Sequence, residues 1–364
     1  MVGQQNQQHT GGPKGRALAA PLRFFASRTS PAWQRRAKTI PIMLAGTIAA
    51  VLAFPLLVVA AVGWDVVHLR WRLPSVRVFL FALQYAINDT VEIVLAGPLW
   101  LAAGFGRRLD SAASIARHQR LQAWSIGVLA RRADRLLGLH LHLAPGAIEA
   151  LTPGPVIVLC RHVSLFDASL PSMLYHRLGI PVRGVIMAEL LADPGFDLLY
   201  GRSGSVFIPR ENGPEAIAAL ASFGASAGSN ADSARTAVVI FPEGRLFRPE
   251  LLGRFMTRMR DQDATRAEHL GSLRHVLPPK PGGTLSLLQA MPTADVVVIA
   301  HAGLDSYGSL AQLAKAVPLP TRWNITAWRT ARTDIPTDLS EQARWLDDQW
   351  LRVDDWIDRT LSAP

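Results

Sequence analysis

A histidine and an aspartate five residues apart have the types and spacing of a catalytic pair. The apolar run Val156–Cys160 predicts a buried strand, and His162 and Asp167 follow directly after it. Five residues correspond to about 500° of α-helix, so the two side chains meet only if a turn lies between them. If they meet, Asp167 accepts from one imidazole nitrogen and the other nitrogen serves as a general base. Otherwise His162 is a loop histidine and Asp167 a helix-start carboxylate.

Two serines are the alternative candidates for covalent chemistry. Gly224–Gly228 matches the Gly-x-Ser-x-Gly pattern around Ser226. A nucleophile elbow needs a strand before the serine and a helix after it. Here the pattern predicts a helix before and a strand after, with a small-residue loop over 224–233, which indicates a coincidence. Ser164 is a rival only because it lies close to His162 in sequence.

Polar residues also follow two later runs that predict strands. Ser205–Ile208 leads to Arg210, and Ala237–Ile240 leads to the sequence Phe-Pro-Glu243-Gly244-Arg. Arginine is always charged and binds phosphate or carboxylate through two donors. Glu243 could orient a backbone or an arginine, and Gly244 permits close approach of the main chain.

Several kinds of site are excluded by what the sequence lacks. It contains no His-Glu-x-x-His, no P-loop lysine motif and no dinucleotide glycine fingerprint. A single cysteine, Cys160, excludes a disulfide framework and a thiolate zinc cluster. We therefore expect no metal and no bound cofactor.

The order of these motifs resembles the glycerolipid and lysophospholipid acyltransferase family of the PlsC type, over roughly residues 150–305. The motifs are His-x4-Asp, then Gly-x-x-Phe-Ile-x-Arg, then Phe-Pro-Glu-Gly. The family usually has Asn where this chain has Arg161. Its third motif usually continues Thr-Arg, where this chain has Arg245 and Leu246. The segment 275–283 looks like the Leu-Pro-Arg-x-x-Gly segment of the branch that contains lysophosphatidic-acid and lysocardiolipin acyltransferases.

The resemblance implies transfer of a fatty acyl group to the free hydroxyl of a lysophospholipid. The donor would be acyl-CoA or acyl-carrier protein. The acceptor would be 1-acylglycerol-3-phosphate, giving phosphatidic acid in phospholipid biosynthesis, or another lysolipid or glycolipid. His162 would be the general base and Asp167 would orient it. The residues that would bind the acceptor phosphate are Arg210, Glu243, Gly244, Arg245 and Arg248.

Two other functions remain open at this point. One is a serine hydrolase of lipid esters that uses Ser226 or Ser164. The other is a lipid-binding relative without activity, which the altered third motif favours.

The fold class follows from the alternation of elements after Pro153. Short β-branched runs alternate with helical segments, which predicts an α/β domain over 151–335. The resemblance implies a mixed, largely parallel sheet flanked by helices, preceded by a membrane helix or helical hairpin. A C-terminal amphipathic helix is predicted within 336–364, where packing on the domain and interfacial membrane contact are the two interpretations.

The region 39–107 is predicted to anchor the chain in a membrane. Thr39–Trp64 holds 26 residues without a charge, and as one helix it would span about 39 Å. The second apolar stretch, 78–106, is interrupted by Asn88, Asp89 and Glu92. Carboxylates at a bilayer centre are costly, so this stretch is either a poor second span or a helix that dips in without crossing.

The net charge of +10 lies in the first part of the chain. Residues 1–38 hold seven basic and no acidic residues and predict a disordered arm, and the helical connector 108–150 is also basic. Residues 151–364 hold 21 basic and 22 acidic residues. This distribution argues against nucleic acid as a partner and for a lipid bilayer. Positive charge before the first apolar stretch predicts a catalytic domain on the cytoplasmic side of a cell membrane, typically a bacterial inner membrane.

Overall fold

The computed structural model describes residues 31–164, 166–209, 213–229, 236–307, 310–320 and 322–362. Its longer helices are α1 Ala32–Leu52, α2 Phe54–Val67, α3 Pro74–Ala102, α4 Ala112–Arg132, α5 Leu170–Arg177, α6 Pro214–Ser229, α7 Pro249–Gln262, α8 Ala264–His269, α9 Pro281–Ala290, α10 Leu310–Ala316 and α11 Leu339–Ser362. Its strands are β1 Leu141–Leu143, β2 Val156–Cys160, β3 Val182–Met187, β4 Val206–Ile208, β5 Ala237–Ile240, β6 Asp295–Ala302 and β7 Trp323–Thr330.

The strands form one seven-stranded sheet in the order β1-β7-β6-β2-β5-β3-β4. All neighbouring pairs are parallel except β6 and β7, which are antiparallel. Strand β2 lies in the middle, with Val158 opposite Val239 on one side and Val297 on the other. Its five residues are all buried, as expected for a parallel strand with both faces covered. The predicted mixed, largely parallel sheet flanked by helices is confirmed.

Two hydrophobic cores, one on each face of the sheet, hold the domain together. One contains Leu170 and Tyr175 from the α5 side, and the other contains Leu287 of α9 and Trp350 of α11. Burying both faces leaves the carboxyl edge of the strands as the place where polar loops collect.

Two boundaries differ from the prediction. Strand β1 lies within the expected connector 108–150 and pairs with β7, so the sheet begins before residue 151. Helix α6 continues through Ser229, so Gly224–Ser229 is helical rather than a loop. Ser226 therefore lies inside a helix and not at a nucleophile elbow.

The stretch Thr39–Trp64, expected to form a membrane helix, is divided between two helices in the structure. Helices α1 and α2 meet at Ala53 with a bend of 68°. Pro55 lies in the first turn of α2, where it has no amide hydrogen to donate and its ring crowds the preceding turn. In the described part of the chain, one helix is long and apolar enough to cross a membrane, Pro74–Ala102, or two if the bent pair is counted.

The expected disordered arm also overlaps the first helix. Helix α1 begins at Ala32, so residues 32–38 are helical. Residues 1–30 lie outside the described residues.

The polar residues within the apolar sequence of α3 face the rest of the protein. The side-chain amide of Asn88 donates to Ser125 at 2.7 Å, and Ser125 donates to Glu92. The Tyr85 hydroxyl donates to Asp193 at 2.9 Å. Asn88, Asp89 and Glu92 are all buried, so the polar face of α3 packs against α4 through Ser125, while Tyr85 reaches Asp193 of the domain.

Helix α1 is attached to the same region of the domain. Arg35 and Arg36 both donate to Asp197, each at 2.9 Å, and Asp197 is only 2% exposed. The exposed apolar residues of α1, α2 and the loop between α2 and α3 are not part of this contact. They include Leu52, Leu56, Val59, Val67, Leu69 and Trp71.

Candidate active site

His162 and Asp167 meet at the end of β2, as predicted. The chain turns between them, and His162 Nδ1 lies 2.6 Å from Asp167 Oδ1. Asp167 Oδ2 accepts from the backbone N–H groups of Val163 at 2.5 Å and Ser164 at 2.7 Å. The Asp167 side chain is fully buried, while that of His162 is 14% exposed. The arrangement puts the proton on Nδ1 and leaves Nε2 of His162 as the nitrogen that can accept another.

The environment favours the ionised form of Asp167 and the protonated form of His162. Burial alone would raise the pKa of Asp167, but the charge and hydrogen bond of His162 and a hydrogen bond from His301 hold that pKa well below its usual range. Burial alone would lower the pKa of His162, but Asp167, with a smaller effect of Glu243, raises that pKa above its ordinary value.

This raised pKa predicts the pH profile of a reaction that needs neutral His162. The base is lost as pH falls through its pKa, so kcat/KM should rise with pH along a limb centred above about 6.5. Measuring kcat/KM from pH 5 to 9 checks this. A limb centred below the ordinary histidine value would contradict the raised pKa of His162.

Glu243 holds the backbone around His162. Its Oε1 accepts from the His162 N–H and its Oε2 from the Leu277 N–H, both at 3.0 Å. The residue is 1% exposed. Burial raises the pKa of Glu243 to about 7, against the opposing effect of the Leu277 N–H and the charge of Arg161. Both oxygens of Glu243 accept from the backbone, and its expected role in binding phosphate stays a prediction. The alternative, that Glu243 orients a backbone, is what the structure shows.

The rest of the third motif forms a turn beside the histidine. Gly244 has φ +64°, and a Cβ there would lie 3.2 Å from Nζ of Lys280. The Phe247 N–H donates to the His162 carbonyl at 2.7 Å. The turn thus brings the ammonium group of Lys280 close to the third motif, which the sequence did not predict.

The structure describes two of the three arginines that are predicted to bind phosphate. Arg245 and Arg248 are exposed on the chain that leads from this turn into α7. Arg210 lies outside the described residues. The binding role of all three arginines stays a prediction.

Ser164 is engaged in its own turn. Its side chain is buried, at 1% exposure. The hydroxyl accepts from the Phe166 N–H at 3.3 Å and donates to the Tyr307 carbonyl at 3.5 Å. These contacts stabilise the loop between His162 and Asp167. They do not favour Ser164 as a nucleophile.

Arg161, which replaces the usual Asn, joins three segments under the site. It is fully buried and donates to the carbonyls of His275 and His301 at 2.7 and 2.8 Å. Its guanidinium also pairs with the Asp305 carboxylate. Asp305 therefore balances the charge that Arg161 introduces, and the first motif is altered without an unpaired buried charge.

The C-terminal helix packs on the domain, which confirms the first of its two interpretations. Leu346, Trp350, Val353 and Ile357 are fully buried. Asp354 on the same helix accepts from the backbone N–H groups of 274 and 275, the latter at 2.6 Å. Helix α11 thereby holds the segment that supplies the carbonyl of His275 to Arg161.

Replacing Asp354 by alanine should destabilise the fold. Two backbone donors lose a buried charged acceptor, which costs about 2–3 kcal/mol of the free energy of unfolding. Asp355→Ala is the matched control, because its pair with Arg359 is exposed and worth less than about 1 kcal/mol. Urea unfolding of both variants measures the difference, and equal midpoints would contradict the role of Asp354.

One comparison with known proteins agrees with the motifs. The family model described as Acyltransferase matches residues 146–302. No curated protein matches the chain significantly. Among solved structures, the chain is similar to the 1-acyl-sn-glycerophosphate (LPA) acyltransferase PlsC from Thermotoga maritima, at 16% identity and a TM-score of 0.48, over 78% of this chain and 97% of that one. Residues 146–302 of this chain, which contain His162, Asp167 and Glu243, belong to the acyltransferase family.

Proposed function

We propose that the protein transfers a fatty acyl group from a thioester donor to the free hydroxyl of a lysophospholipid. The observation that carries the proposal is the contact between His162 Nδ1 and Asp167 Oδ1 at 2.6 Å, within an acyltransferase domain. The donor is acyl-CoA or acyl-carrier protein. The favoured acceptor is 1-acylglycerol-3-phosphate, which would give phosphatidic acid.

The geometry supports a direct transfer with His162 as general base. An alcohol is too weak an acid to ionise at neutral pH, so Nε2 of His162 takes its proton as the oxygen attacks the thioester carbonyl. The Asp167 carboxylate stabilises the imidazolium that forms. When the carbon–sulfur bond breaks, the imidazolium returns the proton to the leaving thiolate. The products are an ester and a free thiol, and no covalent enzyme intermediate is required.

The acceptor phosphate is proposed to bind beside the turn that follows β5. Arg245 and Arg248 are exposed there, and Arg210 is the third arginine of the motif set. A phosphate held by such cations places the hydroxyl near His162. Positioning of this kind lowers a barrier by about 7–11 kcal/mol in favourable cases.

We propose that the chain lies on the cytoplasmic face of a membrane with α1–α3 dipping into it. The docked polar face of α3 supports this, since Tyr85 and Glu92 are held at the domain rather than at a bilayer centre. The exposed apolar residues of α1 and α2 are then the lipid contact. This matches the second of the two interpretations of stretch 78–106.

Charged substitutions on this apolar surface should release the protein from vesicles. Leu56 and Val59 are 71% and 69% exposed. Leu56→Asp with Val59→Asp should weaken vesicle binding by at least about 3 kcal/mol, because each side chain loses about 1.5–3 kcal/mol of apolar burial. Leu339→Asp is the control, since Leu339 is 49% exposed at the start of α11. Flotation with vesicles measures binding, and equal flotation of both variants would contradict the assignment.

The experiment that tests the function is a panel of lysolipids crossed with acyl-CoA and acyl-carrier-protein donors. His162→Ala serves as the blank. We expect a new ester with at least one lysophospholipid, and the panel separates phosphatidic-acid synthesis from acylation of other lysolipids. A folded protein that makes no ester with any pair would reject the proposal. Labelling of a serine by a fluorophosphonate would instead support a hydrolase.

A further inference from the structure

A second histidine lies on the other side of the Asp167 carboxylate. His301, in β6, is fully buried, and its Nε2 lies 3.4 Å from Asp167 Oδ2. The same nitrogen lies 3.2 Å from the carbonyl oxygen of Arg161. Asp167 is thus placed between two imidazoles, His162 on Oδ1 and His301 on Oδ2.

The surroundings of His301 define its tautomer. Nε2 faces two acceptors, while Nδ1 has no hydrogen-bond partner among the residues that the structure describes. Trp323 packs edge-on against the ring, with centroids 5.6 Å apart. A neutral imidazole has one N–H, and the only acceptors available in this geometry are those at Nε2. His301 therefore donates from Nε2 to the Arg161 carbonyl, and Asp167 Oδ2 lies 3.4 Å from the same nitrogen.

His301 is also fixed in place by Arg161. The Arg161 guanidinium donates to the His301 carbonyl at 2.8 Å, while His301 Nε2 donates to the Arg161 carbonyl. The two residues thus form reciprocal hydrogen bonds across neighbouring strands. This makes the position of the imidazole independent of any substrate.

We propose that His301 is a positioning residue for the catalytic pair, which acts through Asp167 by holding Oδ2 and drawing charge away from Oδ1. The inference rests on the proposed function of His162 as general base. A carboxylate that loses one donor attracts the remaining proton donor more strongly. Without His301, Asp167 would bind the protonated His162 more tightly, and more of His162 would stay protonated at a given pH.

Other charged and titratable groups face this pair from the surrounding elements. The end of β2 contributes Cys160 and Arg161, the turn after β5 contributes Glu243, and the chain after β6 contributes Asp305. Replacing His301 also removes its contact with the Arg161 carbonyl and its effect on Asp305, so the comparison must be made between two variants at position 301 that differ in the donor.

The test compares His301→Phe, which keeps the ring shape without a donor, with His301→Gln, whose amide Nε2 keeps a donor. For His301→Phe we expect kcat to fall about tenfold while KM for the acceptor stays within twofold. We also expect the acidic limb of the kcat/KM profile to shift to higher pH by about one unit. His301→Gln should keep the limb of the unsubstituted protein. A limb that stays in place in both variants, or moves equally in both, would overturn the proposal.

A second measurement does not depend on activity. With ¹⁵N-labelled histidine in the full chain, and His162→Ala to assign the resonance, the titration of His162 can be followed directly. We expect a higher pKa in His301→Phe than in His301→Gln. If this shift occurs but no acyl transfer is found, the proposed function fails and the positioning role stands. If acyl transfer is found and the two variants titrate alike, the positioning role fails alone.

Discussion

His162→Ala should lower acyl transfer by about a thousandfold while the protein stays folded. The substitution removes the nitrogen that accepts the hydroxyl proton, and general-base catalysis contributes about 10²–10⁴-fold. The side chain is only part of a loop and not of either core, so folding should survive its loss. Initial rates with a lysophospholipid and an acyl thioester, together with thermal unfolding, measure both effects.

Two companion variants sharpen this result. Asp167→Asn should cause a loss of similar order, because an amide cannot stabilise the imidazolium and favours the wrong tautomer. His142→Ala is the matched control, since His142 is an exposed histidine on β1. Retained activity in His162→Ala or Asp167→Asn would reject the pair, and equal losses in His142→Ala would indicate a general effect.

Arg161→Asn should lower the urea concentration at which the domain unfolds, although Asn is the usual residue at this position in the acyltransferase family. The change removes the guanidinium that pairs with Asp305 and donates to the carbonyls of His275 and His301. Removing one partner of a buried ion pair costs about 3–5 kcal/mol. Urea unfolding measures it.

The double variant Arg161→Asn with Asp305→Asn tests whether the lost stability comes from the unpaired charge of Asp305. It removes the uncompensated charge, so it should recover part of the stability, leaving the unpaired carbonyls as the remaining cost. Arg254→Asn, an exposed arginine on α7, should change stability by less than about 0.5 kcal/mol. If Arg161→Asn is as stable as Arg254→Asn, then Arg161 does not join the segments in the way described.

The contact of His162 with Asp167 was predictable because it is local. The apolar run of β2 places both residues at a strand end, and a turn of four residues brings them together. The sheet class was predictable for the same kind of reason, since runs such as Ala237–Ile240 are short, β-branched and separated by helical segments.

The partners that surround this pair were not predictable from local pattern. His301 is 140 residues from Arg161 in sequence and is brought near by the register of β2 and β6, in which Cys160 lies opposite Ile299. The two donors on Glu243 depend likewise on where the chain before Leu277 returns to the site. Single-sequence periodicity carries no information about such register.

The packing of the anchor region was likewise not predictable. Asp89 and Glu92 were judged by their cost in a bilayer, because the sequence does not show that Ser125 and Asp193 lie opposite them. The bend at Ala53 lies beside Pro55, and the sequence alone does not give its angle. Local composition identified the apolar helices but not what each face contacts.

The attachment of α1 and α3 to the domain has a consequence for substrate selection. Arg35, Arg36 and Tyr85 fix the anchor to Asp197 and Asp193, so the anchor is a spacer of constant length rather than a flexible linker. On the proposed bilayer surface, His162 then stays at one height above the lipid head groups. If the proposed activity and placement hold, we expect acceptors whose hydroxyl projects to that height to react, and acceptors whose hydroxyl lies deeper or farther out not to react, whatever their affinity for the arginines.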